Sequence, residues 1–157
     1  MLDFWFERLY NKSIDNKGEG FMFKLLQIQV PREEFDAVNE MGWTAAAEKF
    51  PKVEAHLAVS SGSEGFVDTY MGLYTHVSDI HVDTPEQAFE THNNPFGLQE
   101  EEDKIVRYER QHSMSVGDIL IGPDDEVLFC DNMGFVQMLS ATYNYYRSPS
   151  YREQRTA

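Results

Sequence analysis

The segment Thr142–Arg155, TYNYYRSPSYREQR, combines two side-chain types that together bind single-stranded nucleic acid. Tyrosine rings can stack on unpaired bases while arginines hold the phosphate backbone, and each stacked base contributes about 1–3 kcal/mol. Three arginines against one glutamate give residues 143–157 a charge of +2, which leaves −16 on residues 1–142 of a chain whose net charge is −14. The residues expected to contact a strand are Tyr143, Tyr145, Tyr146, Arg147, Tyr151, Arg152 and Arg155.

Tyrosine and arginine are also enriched at protein interfaces, so this tail equally fits a contact with an acidic neighbouring subunit or with a partner protein. A monomer with three arginines on an acidic body should bind a strand poorly, whereas an oligomer that gathers several tails would bind through multivalency. A helical stripe at the other end of the chain favours such a homo-oligomer, although it could instead pack on its own core. Its residues are Leu2, Trp5, Phe6 and Leu9.

Asp79, His81 and Asp83 alternate along a predicted strand, share one of its faces and could bind a divalent cation there. A metal site usually needs further ligands from elsewhere in the fold. The alternative is a polar strand end that enters solvent. We predict neither a bound metal nor a cofactor.

The chain contains no nucleophile elbow, no P-loop and no dinucleotide-binding glycine motif. Its single cysteine, Cys130, lies between Phe129 and Asp131 in a predicted strand and is expected to be a small buried thiol. The carboxylates are too many and too dispersed to define an acid–base pair. These observations predict a protein without enzymatic activity.

The 27 acidic residues outnumber the 13 basic ones, and such a surface repels duplex DNA. The excess can serve solubility alone. It can also place carboxylates where phosphates would lie, so that the protein binds a basic groove of a DNA-handling protein. The clusters considered for such a DNA mimic are Glu100–Asp103 and Asp124–Glu126.

The length of 157 residues predicts one domain over residues 1–142, followed by the tail at 143–157. No stretch approaches the ~20 consecutive apolar residues of a membrane span. The first ten residues lack the order of a secretory signal. A single cysteine permits no internal disulfide, which fits a reducing cytoplasm.

The first elements of the domain follow from apolar pattern and punctuation. Phe21–Val30 is apolar on both parities, as in a central strand covered on both sides. Pro31 begins a helix that ends at Gly42, and Trp43–Phe50 forms a second helix that Pro51 stops. Val53–Val59 fits either a strand or a helix.

The later elements add a sheet and one capped helix. Phe66–Val82 predicts one long strand, or two shorter ones broken near Gly72. Thr84, Pro85 and Gln87 have the spacing of a capping box at the start of a helix. Hairpin strands flank the turn at 122–125, and a third strand or a helix follows. The order predicts an α+β fold with a mostly antiparallel sheet, several short helices and a C-terminal β-hairpin.

The stretch HSMSVGDIL, from His112 to Leu120, leads into that hairpin. The serines can hydrogen-bond local backbone, as they do at turns, and Gly134 permits a bend that a side chain would obstruct. The motif is therefore expected to be structural. Its residues are His112, Ser113, Ser115, Gly117, Asp118 and Gly134.

This stretch, with the aromatic-cysteine strand and the GF that follow it, resembles the YodL-like domains of phages, plasmids and bacterial mobile elements. The upstream sequences YMGLYTHVSDI and TPEQAFETHNNP resemble the strand, helix and Asn-Pro that precede the motif in that family, so the resemblance spans about residues 70–135. The family implies an accessory protein of mobile DNA and no catalytic residue. The N-terminal part and the tail are similar to a small early protein of Schitoviridae-type podophages, which implies a role near phage transcription or replication.

The sequence thus predicts a non-enzymatic phage accessory protein, cytoplasmic in the infected host, that forms a homo-oligomer and binds single-stranded DNA. The alternative is an acidic DNA mimic that inhibits a host DNA-handling or transcription-related protein. The first function requires the tail, and the second requires the acidic clusters.

Overall fold

A computed structural model describes residues 21–138 of the chain. These residues form one six-stranded sheet in the order β3-β2-β1-β4-β5-β6, with every neighbouring pair antiparallel. The sheet carries helices on both faces, which confirms the α+β prediction. The strands are β1 Phe23–Ile28, β2 Tyr74–Ile80, β3 Ile105–Arg107, β4 Ile119–Ile121, β5 Val127–Asp131 and β6 Gly134–Gln137.

Strand β1 lies at the centre of the sheet, between β2 and β4. Phe23 and Leu25 pack into the core on one face, whereas Leu26 and Ile28 pack into the core on the other. All four are at most 3% exposed. A strand buried on both faces needs apolar residues at odd and even positions, as the sequence predicted.

Three helices follow β1: α1 Arg32–Met41, α2 Trp43–Lys49 and α3 Pro51–Val59. Glu33 and Glu34 occupy the first turn of α1, close to the positive end of its dipole. Pro51 does not merely stop α2; it is the first residue of α3, where its missing N–H costs no helical hydrogen bond. The helical alternative for Val53–Val59 is thereby the correct one.

The α3 face of the sheet is closed by a core that includes Ala55, Val59, Met71, Tyr74 and Phe129. Met71 belongs to a 3-10 helix, Asp68–Leu73, which follows a shorter one at Ser63–Gly65. The prediction of strand throughout Phe66–Val82 is therefore wrong before Tyr74. The 3-10 turns fold Phe66 and Met71 onto the core instead of extending the chain.

The opposite face is covered by α4, Pro85–Asn93, and by the loop that precedes β4. The capping box is present: the Thr84 hydroxyl accepts from the Gln87 N–H at 3.1 Å, and the Gln87 side chain accepts from the Thr84 N–H at 3.2 Å. Asn94 ends the helix in the left-handed conformation, with φ +33°. A short helix, α5 Gln99–Glu102, then leads to β3.

Strands β4 and β5 form the predicted hairpin, and the strand alternative is correct for β6. Strand β3 has only three residues and ends at Arg107. Cys130 in β5 is buried, as expected, and burial raises the pKa of its thiol to about 11. No helix within residues 21–138 is both long and apolar enough to cross a bilayer.

Candidate functional site

The HSMSVGD motif forms a loop that is fastened to the central strand by a buried glutamine. Gln27 is 0% exposed, and its Nε2 donates to the His112 carbonyl at 3.0 Å and to Oδ2 of Asp118 at 3.0 Å. Its Oε1 accepts from the His112 N–H at 3.3 Å. Every polar atom of the amide is thus occupied by the loop, as a buried amide requires.

Asp118 closes the turn from within. Its Oδ2 accepts from the Ser115 N–H at 3.0 Å, and its own N–H donates to the Ser115 carbonyl at 3.1 Å. Burial raises the pKa of Asp118 to about 6, although the nearby His112 and the hydrogen bonds from Ser115 and Gln27 oppose that rise. We call Gln27, His112, Ser115 and Asp118 the Gln27 network.

Gly117 places the loop backbone directly against α3. Its φ is +103°, and a Cβ at this position would lie 2.7 Å from Cγ2 of Val59. Its N–H donates to the Cys130 carbonyl at 2.9 Å, and its carbonyl accepts from the buried Tyr74 hydroxyl. Glycine is required here for both conformation and space.

Helix α4 holds the same loop from the other side. The side-chain amide of Asn93 accepts from the Met114 N–H at 2.8 Å and donates to the Met114 carbonyl at 3.1 Å. The His92 ring contacts the Gln111 side chain, and burial lowers the pKa of His92. Two elements far apart in sequence therefore clamp the loop.

Within residues 21–138, His112, Gly117 and Asp118 of the motif hold the loop to the rest of the fold, whereas the two serines differ from their prediction. Within residues 21–138 the hydrogen bonds of Ser113 and Ser115 run through main-chain atoms, so the predicted hydroxyl-to-backbone bonds are wrong. Gly134 has φ +98° at the β5–β6 turn and open space around its Cβ position. Its role in the bend is therefore conformational.

The predicted row of Asp79, His81 and Asp83 is divided by the fold. Asp79 lies 2.7 Å from Nε2 of His76 and accepts from the Tyr108 hydroxyl. Burial by itself raises the pKa of Asp79, but hydrogen bonds from His76 and Tyr108 lower it on balance. His76 reaches it because the register of β2 shifts at this point, which leaves one extra residue between Ser78 and His76 opposite β1.

His81 and Asp83 instead line a cleft of about 370 Å³ beside α4 and α5. Glu101 in that cleft accepts from Thr91 at 2.6 Å and from Lys104 at 2.9 Å, so its charge is already compensated. Among the described residues, no three histidine, cysteine or carboxylate side chains are grouped to hold a metal ion.

The acidic clusters that the sequence suggested for a DNA mimic are partly neutralised from within. Glu101 pairs with Lys104 at 2.9 Å, and Glu102 pairs with Arg107 at 3.0 Å. In the second cluster, Oε2 of Glu126 accepts from the Asp124 N–H at 3.0 Å. Neither cluster presents all its carboxylates outward.

Helix α1 presents a more regular acidic surface. Glu33, Asp36 and Glu40 are exposed and, at about 100° per residue, lie within about 60° of one another opposite the buried Val38. The 3- and 4-residue spacing of these acidic residues was the signal in the sequence that could have predicted this surface. We call these three residues the α1 stripe.

An aromatic surface joins α1 to α2 and α3. The Trp43 ring stacks on His56, with centroids 5.6 Å apart and an interplanar angle of 19°. Phe35 meets Trp43 edge-on at 6.1 Å. Burial, and then the charge of His112, lower the pKa of His56. Phe35 and Trp43 remain 40% and 37% exposed, so these three rings form what we call the Trp43 surface.

Two sets of predicted residues lie outside the described part of the chain. They are the N-terminal stripe (Leu2, Trp5, Phe6 and Leu9) and the tail residues from Tyr143 to Arg155.

A scan against protein-family models and searches of curated proteins and of solved structures each give no match. The resemblance to YodL-like domains therefore stays a prediction, as does the likeness to a podophage early protein.

Proposed function

We propose that this protein is a non-enzymatic, acidic binding protein that occupies the DNA-binding surface of a basic DNA-handling protein. The α1 stripe carries the proposal. Glu33 and Glu40 lie seven positions apart with Asp36 between them, which is about 10 Å along the helix axis. One strand of DNA places about three phosphates in that length. The stripe thus matches the charge density of a single phosphate strand.

The surrounding charge favours the same kind of partner. Residues 21–138 contain 22 acidic and 7 basic residues, a net charge of −15. Two of the basic residues, Lys104 and Arg107, are paired with Glu101 and Glu102, so they change little of the negative field of the other acidic residues. Such a field accelerates encounter with a positively charged groove and repels nucleic acid itself.

The stretch His112–Phe135, which resembles YodL-like domains, is the basis for proposing a phage-infected cell as the setting. We propose a host polymerase, nuclease or restriction enzyme as the target. A role without catalysis is supported by the raised pKa of Cys130, because a protonated thiol is a poor nucleophile. The Gln27 network is likewise occupied in holding a loop.

A displacement experiment tests the proposal. A fluorescent duplex is bound to purified bacterial RNA polymerase, to a restriction endonuclease or to a nuclease, and the protein is added. We expect duplex release from one of them, weakened at least tenfold by the triple substitution Glu33→Gln, Asp36→Asn and Glu40→Gln, since each buried charge contact is worth about 1.5–3 kcal/mol.

The matched control removes the same number of charges elsewhere, with Glu86→Gln, Glu90→Gln and Glu109→Gln, which are exposed and lie outside α1 and outside both acidic clusters. Equal losses in both variants would show that only net charge matters and would contradict a mimic built on α1. Release of none of the three duplexes would contradict the choice of target class.

Single-stranded DNA binding by the tail is the second candidate function. Four tyrosines and three arginines within Thr142–Arg155 favour it, and a homo-oligomer would gather several such tails. Truncation after Ala141 should abolish binding of a single-stranded oligonucleotide. Tyr145→Ala combined with Tyr146→Ala should weaken it by about 2–6 kcal/mol if both rings stack.

The salt dependence separates stacking from charge. Arg147→Ala should chiefly flatten the salt slope, by about 0.7 for each lost phosphate contact. A full-length protein that shifts no single-stranded oligonucleotide in an electrophoretic assay would eliminate this candidate and leave the acidic surface as the functional one.

A further inference from the structure

We infer that the aromatic-basic tail docks on the Trp43 surface of its own chain. The occupant is the segment Tyr151–Arg155, and the receiving surface consists of Phe35, Trp43 and His56. This contact goes beyond the proposed function, because it involves aromatic rings that the proposed function does not use.

The Trp43 surface has the composition of an interface centre. Tryptophan is among the residues that contribute most to binding when it is covered. Four of the large hydrophobic side chains left exposed within residues 21–138 belong to α1–α3 or to the turn between α1 and α2: Phe35, Met41, Trp43 and Leu57. A flat, neutral aromatic stack suits a tyrosine ring or an arginine guanidinium.

Charge complementarity selects the tail as the occupant. Residues 31–59, which contain α1–α3, have six acidic and three basic side chains. Residues 143–157 carry a charge of +2 and include four tyrosines. This segment is therefore attracted to residues 31–59, whose net charge is −3.

The end of β6 directs the tail toward this face. Met138 packs with the core on the α3 side of the sheet, and its N–H donates to the Val127 carbonyl at 2.8 Å. Through β5 and β4, Val127 lies level with Lys24 near the start of β1. Helix α1 begins beyond the other end of β1. Its start is about six residues along the strand direction and three strands across from Met138, which is a distance of about 25 Å.

The number of residues after Met138 then decides which tail residues can reach the Trp43 surface. Tyr143 is five residues past Met138 and spans at most about 17 Å. Tyr151 is thirteen residues past Met138 and spans up to about 43 Å. Docking in the same chain is favoured over docking between chains, because a short tether gives an effective concentration of about millimolar.

Tryptophan fluorescence provides the test, since the chain contains only Trp5 and Trp43. In a Trp5→Phe background the emission reports Trp43 alone. We expect truncation after Ala141 to raise the acrylamide quenching constant of Trp43 roughly twofold, because docking should cover much of a ring that is exposed without it. Adding a peptide of residues 142–157 to the truncated protein should restore protection.

Point substitutions provide the matched control. Tyr151→Ala with Arg152→Ala should reproduce the truncation, whereas Tyr143→Ala should leave quenching unchanged, because that residue cannot reach the surface. An equal effect of both variants would overturn the assignment. Quenching that is identical in full-length and truncated protein would overturn the docking itself.

Two further measurements keep the test decisive. Protection must persist on dilution from about 50 to about 1 μM if the tether is intramolecular; loss on dilution would mean that a second copy is the occupant and would contradict the inference. If Trp5→Phe fails to fold, the indole ¹H–¹⁵N signal of Trp43, assigned with Trp43→Phe, should shift on truncation of the otherwise unaltered chain. All of these readouts are made without nucleic acid or partner, so they stand or fall separately from both proposed functions.

Discussion

The two faces of the sheet satisfy their polar groups in different ways. On the α4 face, Gln27, Asn93 and Asp118 are each hydrogen-bonded to a loop that passes between them. On the opposite face, the outer surface of α1–α3 leaves aromatic rings half exposed and the carboxylates of the α1 stripe facing solvent. A group that is fully occupied within the fold holds the fold together, whereas a surface whose side chains have no partner among residues 21–138 can bind a further segment or molecule.

Gly117→Ala should produce the largest loss of stability, and Gly134→Ala is its natural comparison. Both glycines have φ near +100°, but only Gly117 meets a neighbour, at 2.7 Å from Val59. Backbone strain costs about 1–3 kcal/mol at either position, and the clash adds about 1–3 kcal/mol at Gly117. Urea denaturation should therefore give Gly117→Ala a clearly lower free energy of unfolding than Gly134→Ala. Equal losses would mean that the loop relaxes away from α3.

Gln27→Leu should cost about 2–4 kcal/mol of unfolding free energy, because it removes one of the two hydrogen bonds to Oδ2 of the buried Asp118 and both main-chain hydrogen bonds to His112. Gln29→Leu is the control. Its amide donates only to the exposed Arg110 carbonyl in the described part of the chain, so its loss should cost less than about 1 kcal/mol. Similar urea midpoints for the two variants would refute a special role for the Gln27 network.

Asp118→Asn should stabilise the protein at pH 8. The pKa of Asp118 is raised to about 6, so the folded protein holds this proton more tightly than the unfolded chain does. The stability gained from the proton is complete below about pH 4 and is lost as pH rises through 6. A shift of about two units corresponds to about 3 kcal/mol at pH 8, and asparagine should remove this loss.

Urea denaturation of both proteins from pH 4 to pH 8 measures that difference. The gap should widen with pH and level off above about pH 7. A variant that is less stable than the native chain at pH 8 would mean that the ionised carboxylate, with its bonds from Ser115 and Gln27, is the preferred form.

The smallest change in stability is expected on the opposite face. Glu33→Gln, Asp36→Asn and Glu40→Gln together should alter the unfolding free energy by less than about 1 kcal/mol, since exposed charges and the helix dipole contribute little. The same variant should nevertheless lose duplex displacement. A large loss of stability would show that the stripe belongs to the fold, and the contrast between the two faces would fail.

Local sequence signals were sufficient for most elements. The apolar run of β1, the capping box at Thr84 and the hairpin turn at 122–125 each depend on neighbours a few residues away. The 3-10 segment Asp68–Leu73 was not predicted, because its sequence pattern also fits a strand and only its packing onto the core decides otherwise.

The polar contacts could not be predicted from the sequence in the same way. Gln27 and Asp118 are 91 residues apart and meet only when β1 and β4 pair. The one signal was a glutamine between the apolar Leu26 and Ile28 in a central strand. The contact between His76 and Asp79 also depends on a register shift in β2, which alternation of residue types does not reveal.

The reactivity of the Cys130 thiol can report how often the hairpin opens. The chain has one thiol, buried in β5 beneath a loop whose Gly117 is bonded to the Cys130 carbonyl. A thiol reagent can modify it only after that region opens, and the high pKa slows any reaction in the closed form. The rate of modification under native conditions therefore measures how often the strand beside the loop separates from it, at a single known atom and without an introduced label.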